Sequence, residues 1–177
     1  MAFDATRTLR GALAGAAAAA VWAAQQPLDK RVFGIDYDDA ELLGRLARVR
    51  APATQPVGLA LHVANGAVFG ALYANVAPSL PGPGAVRGAA AGLAEHLLTW
   101  PGTLVIDRLA LGRGVPKLWG DPRAFAQGAW RHLLFGAVLG ELERRLNPPA
   151  AELEPVDEAA VASNGHGSAA HLVASGP

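Results

Sequence analysis

Three histidines, one glutamate and one arginine are the side chains of this sequence best placed to do chemistry. His62 and His132 each lie inside a glycine-rich apolar run, GLALHVANGAVFG (58–70) and GAWRHLLFGAVLG (128–140), which share the pattern G-x-x-x-H-x-x-x-G-A-V-x-G. His96 follows Glu95 in a third apolar run, and Arg131 precedes His132. Imidazole changes charge near neutral pH. A carboxylate or guanidinium in hydrocarbon is costly, about 2.5–3.5 kcal/mol for Arg or Asp on insertion scales, so Glu95 and Arg131 are expected to pair with one another. Three chemistries fit this set. The five residues can form a polar network that fixes helix register, a proton or ion site, or a metal site. Three imidazoles and a carboxylate suit zinc, but no H-x-x-x-H or H-E-x-x-H spacing supports one, so a metal is left unknown and no cofactor is implied.

Catalytic signatures are missing elsewhere. There is no cysteine, which removes disulfides, thiolate metal sites and cysteine nucleophiles. No G-x-S-x-G elbow, P-loop or dinucleotide-binding glycine fingerprint occurs. Fifteen basic and fifteen acidic residues cancel, so no basic footprint for nucleic acid exists. The chain reads as a non-enzyme.

The elements that must position the five residues follow from where charge is absent. Residues 11–28 carry none, residues 51–86 carry none, 88–106 carry only Glu95, and 124–140 carry only Arg131. About 20 mostly apolar residues cross a ~30 Å hydrocarbon layer. Four membrane spans are therefore predicted, at about 9–26, 56–77, 85–106 and 124–142, the first ending at Pro27 and the third broken at Trp100-Pro101-Gly102. The alternative is a water-soluble Ala-rich bundle. The domain comprises residues 1–147, and the acidic, Ser/Gly/Ala-rich stretch 148–177, with His166 and His171, reads as a disordered tail.

The second half copies the first. RGALAG (10–15) matches RGAAAG (87–92), Trp22 matches Trp100, Asp29 matches Asp107, and the two histidine motifs match each other. Repeats of about 7–78 and 84–148 each hold two spans, so both insert the same way and should be related by a pseudo-twofold axis along the membrane normal. The repeat also argues that the first span is retained rather than cleaved as a secretory signal.

Glycines four apart form ridges on these helices: Gly11 and Gly15; Gly58, Gly66 and Gly70; Gly88 and Gly92; Gly128, Gly136 and Gly140. In lipid such ridges let backbones approach and gain dispersion contacts. Because His62, His96 and His132 share these ridges, they should face other helices. At 1.5 Å per residue they sit at roughly 9–15 Å from one side, in a common layer.

The stretch from Asp38 to Arg50 puts Leu42, Leu46 and Val49 on one face and arginines on the other, a pattern for a short helix lying at the lipid surface. The two long loops carry nine Lys/Arg against five at the termini and the middle turn, which favours cytoplasmic long loops.

His62 in the Gly-rich second span, Pro78, R-G-x-x-x-G opening span three, His96 followed by Pro101, RHLLFG (131–136) and ELERRL (141–146) together resemble the YagU-like inner-membrane proteins. That resemblance covers about half the chain. It implies a small polytopic protein of the bacterial cytoplasmic membrane with a link to acid stress, and it supplies no catalytic residues.

The expected fold is an all-α integral membrane four-helix bundle of two repeated hairpins plus a short interfacial helix. Its expected partners are the lipid bilayer and a second copy or another membrane protein. The function read from the sequence is envelope or pH-stress adaptation through a proton- or ion-responsive His/Glu layer. The alternatives are an accessory subunit that docks a partner through its glycine ridges, and a metal-dependent membrane enzyme.

Overall fold

The computed structural model describes residues 4–108 and 115–148; the tail and part of the second long loop lie outside them. The described residues are all-α, with no strand among them. The helices are α1 (Ala5–Phe33), α2 (Asp39–Leu46), α3 (Thr54–Val76), α4 (Gly84–Thr99), α5 (Gly102–Arg108) and α6 (Pro122–Leu146), with one 3-10 turn at Ala77–Ser79. Among the described residues one helical stretch, Thr54–Ser79, is long and apolar enough to cross a membrane.

Helix α1 continues through Pro27, where the sequence places its end. Proline removes one intrahelical hydrogen bond, but the last turns are held from outside. Asp29 is bonded by Arg131, and the Lys30 ammonium reaches Asp36 and Asp38 at 3.1 and 3.2 Å. Gly34, at φ 69°, then closes the helix by donating its N–H to the Lys30 carbonyl, a left-handed cap that glycine adopts at no steric cost. Asp4 and Asp121 cap α1 and α6 at their starts. The break at 100–101 is present: α4 stops at Thr99 and α5 restarts at Gly102.

Two hairpins form the body, α1 with α3 and α4 with α6. Their seams are the glycine ridges. A methyl group at Gly70 would overlap the Gly11 carbonyl oxygen, and one at Gly15 would overlap that of Gly66. In the second hairpin, methyls at Gly88 and Gly136 would each overlap the other's carbonyl oxygen, and Gly92 meets the His132 carbonyl. Gly15 and Gly92 are equivalent in the repeat, yet Gly15 faces Gly66 and Gly92 faces His132, the equivalent of His62. The second seam is thus shifted by one helical turn.

The ridges also serve neighbours that the four-span picture omits. Gly58 lies against the backbone of Ala40 and Gly44 in α2, and Gly128 makes room for the His96 ring. Helix α2 turns its apolar edge to protein. It packs on α3, with Leu42 buried among Ile35, Tyr37, Leu118 and Ala124. The apolar edge that suggested a lipid contact is covered by protein, because Gly44 and Gly58 let the two backbones close.

The twofold relation of the hairpins is incomplete. Helix α1 packs along α6, but the equivalent pair, α4 and α3, has no comparable seam.

Candidate functional site

Polarity in this body runs inward. The largest fully buried side chains are Arg131, Leu118, Leu139, His96, Gln127, Glu143 and Asp29, five of the seven polar or charged. Large apolar side chains such as Leu9, Leu13, Val68, Leu72, Val86 and Leu98 face outward.

Two of the three histidines, joined by the third, pack against Trp22. Its ring lies edge-on to His62 at 5.0 Å and to His132 at 4.6 Å between centroids, and His132 lies tilted at 47° against His96 at 4.8 Å. Three helices and α1 therefore contribute to one layer, held at this level by the glycine seams below it. Trp100 and Phe125 close the layer over His96, at 5.2 and 4.9 Å.

Each ring lies near a helix backbone. His132 Nδ1 is 2.8 Å from the Gly128 carbonyl oxygen. The Ala19 backbone lies near the His62 ring and the Phe125 backbone near the His96 ring, while Nε2 of both is buried without a hydrogen-bond partner. On His132, Nε2 meets Glu95 Oε2 at 2.7 Å. A carbonyl oxygen only accepts, so His132 Nδ1 carries a proton. A carboxylate oxygen and a ring nitrogen at 2.7 Å then need a proton between them. The pair is either imidazolium with carboxylate or imidazole with carboxylic acid.

Glu95 and Arg131 do not pair, contrary to the sequence expectation. The guanidinium of Arg131, fully buried, donates through Nε and Nη2 to Asp29 at 2.7 and 2.6 Å, through Nη1 to Asp39 at 2.6 Å, and through Nη2 to the Tyr37 carbonyl at 3.0 Å. The ~100° per residue of a helix explains the outcome. Arg131 points toward α1 and α2, whereas Glu95 reaches His132 across the α4–α6 seam. Gln127 donates to Asp29 at 2.8 Å, and the Tyr37 ring lies under the guanidinium at 5.1 Å. Burial and the Asp39 charge hold the Tyr37 phenol well above its usual range, so its hydroxyl donates to Asp39, at 2.6 Å.

Asp39 joins the two layers, because it also accepts from Trp22 Nε1 at 3.0 Å. Asp29, Asp39, Tyr37, Gln127 and Trp22 are absent from the five residues singled out by sequence. Asp29 sat at a helix end, and Asp39 looked like a helix-start residue. A further buried charge closes the other end of the bundle: Glu143 accepts from Arg7 at 2.9 Å and Arg87 at 3.2 Å.

A cavity of about 250 Å³ opens at the histidine layer, lined by Tyr37, Asp39, His62, Glu95, His96 and His132 among others. No group of three or more His, Cys, Asp or Glu side chains among the described residues is placed to hold a metal ion. His62 and His132 meet Trp22 edge-on, and His132 lies tilted against His96. Comparison with family models, with curated proteins and with solved structures gave no match.

Proposed function

We propose that this chain is a multi-pass protein of the bacterial cytoplasmic membrane whose His/Glu layer takes up and releases protons, with a role in envelope or pH-stress adaptation and no enzymatic chemistry. The observation that carries the proton reading is the Glu95–His132 contact, 2.7 Å long with the other ring nitrogen held by a backbone carbonyl. Such a pair exists only with a shared proton, and it borders a cavity where that proton can exchange.

The outward apolar side chains and inward charges support placement in lipid, where intramembrane ionisable groups turn to the bundle interior and mark pathways. The glycine seams support it as well, since small residues bring helices together where apolar burial cannot. Helices α1, α4 with α5, and α6 would cross beside α3, their Ala and Gly content lowering their hydropathy. The resemblance to YagU-like proteins rests on the motifs quoted above, and the comparisons add nothing to it.

The test is reconstitution into liposomes with an internal pH-sensitive dye and an imposed gradient. Wild-type protein should dissipate the gradient, and Glu95→Gln and His132→Gln should each lose that activity while remaining folded and membrane-inserted. Unchanged flux in both variants would leave the pair as a register lock.

A further inference from the structure

The missing α3–α4 seam leaves an apolar groove of about 680 Å³ on the outer face, lined by Phe69, Val76, Leu80, Val86, Ala94 and Leu98 among others. It meets the inner cavity, since Phe69, Glu95 and Thr99 line both. From Val86 to Thr99 the groove follows α4 for about 20 Å at 1.5 Å per residue, the length of a long hydrocarbon chain. Its volume falls in the range of small-molecule sites, roughly 300–1,000 Å³.

The inner end is rich in acceptors. His62 Nε2 and His96 Nε2 are buried and unpartnered, and His62 and His96 are 8% and 1% exposed. A neutral ring with its proton on Nδ1 offers a lone pair at Nε2. A buried acceptor left without a donor is costly, so a ligand that supplies donors gains from reaching it. Glu95 adds a carboxyl group at the junction.

We propose that this groove and cavity together bind a single-chain amphiphile whose hydrocarbon tail lies between α3 and α4 and whose hydrogen-bond-donating head, an amine or an alcohol, reaches the Nε2 atoms of His62 and His96. The site rests on the same layer as the proton reading but needs no flux. The tail enters sideways from the lipid, and the head enters the cavity beside the two rings.

The experiment uses the full chain with Trp119 and Trp130 replaced by Phe, so that fluorescence reports Trp22 and Trp100, both lining the cavity. The protein is held in phosphatidylcholine nanodiscs without a pH gradient. Brominated hexadecylamine and hexadecanol should quench in a saturable way, whereas brominated hexadecanoate, which lacks a donor when ionised, should quench only in proportion to its bulk concentration. Ala94→Phe, at an exposed groove position, should weaken the amine's apparent affinity at least about tenfold. A double change of His62 and His96 to Phe should do the same for both donor probes.

Equal behaviour of amine and acid, or an Ala94→Phe curve matching its parent, overturns the proposal. So does a change of oligomeric state in Ala94→Phe, which would assign the groove to a second copy of the chain. Loss of quenching saturation with dye-detected proton flux intact would sink this inference alone, and the converse would sink the proton reading alone.

Discussion

Glu95 Oε2 and His132 Nε2 lie 2.7 Å apart across the seam between α4 and α6. The Gly128 carbonyl holds the far nitrogen of the same ring. That geometry requires a proton between the carboxyl oxygen and the ring nitrogen. The glycines that set the seam therefore also set the chemistry, because a seam opened by one methyl would lengthen this contact.

Removing the buried cation should be severe. Arg131→Met leaves Asp29 and Asp39 facing the interior with their main donor gone. Breaking a buried pair from one side costs about 3–5 kcal/mol. Unfolding in a detergent series should show a loss of that order, and adding Asp29→Asn should recover part of it. An Arg131→Met protein as stable as its parent would refute the assigned role.

Glycine replacements should sort by seam. Gly70→Ala and Gly88→Ala would each drive a methyl into facing backbone, and overpacking typically costs about 1–3 kcal/mol. Gly102→Ala, with nothing near its Cβ position, should be within about 0.5 kcal/mol of the parent. Equal stability across the three, measured by the same unfolding assay, would contradict the seams.

The α1–α2 connection should give stability a defined pH window. Burial pushes the Asp38 carboxyl up, but the Glu41 amide and the Lys30 ammonium outweigh it and leave it below its ordinary value. Burial likewise opposes the Lys30 charge, and Asp36 and Asp38 overcome it to raise the amine above its usual range. A depressed carboxyl contributes above its unfolded value of about 4 and is lost as pH falls through the lower folded value. A raised amine contributes fully below about 10.4 and is lost as pH climbs through the higher folded value. Thermal unfolding followed by circular dichroism should show this contribution constant between those limits, and Lys30→Met should reduce it at both ends. A Lys30→Met profile parallel to the parent at every pH would refute the link.

Much of the scaffold was legible because it is periodic. Glycines four apart mark close approach in any helix, and the histidines on the same rows had to share a helix interface. Pairing was not legible. Arg131 meets Asp29 and Asp39 across 102 and 92 residues of chain, and no local rule selects them over Glu95. Glu143 read as part of a charged exit, although Arg7 and Arg87, near the starts of the two repeats, converge on it. Helix α2 misled for a physical reason: Leu42 on an amphipathic edge looks the same whether lipid or protein covers it. Pro27 misled as well, because a helix outlasts a proline when the following turns are anchored by side chains from elsewhere.

The most direct measurement is the nitrogen-15 spectrum of the His132 ring in lipid bilayers, followed from about pH 4 to about pH 9 to bracket ordinary carboxyl and imidazole titrations. The account predicts a protonated Nδ1 at every pH, with exchange confined to Nε2, and a changed Nε2 titration in Glu95→Gln. A ring that carries its single proton on Nε2 when neutral, or an Nε2 titration indifferent to Glu95→Gln, would contradict it.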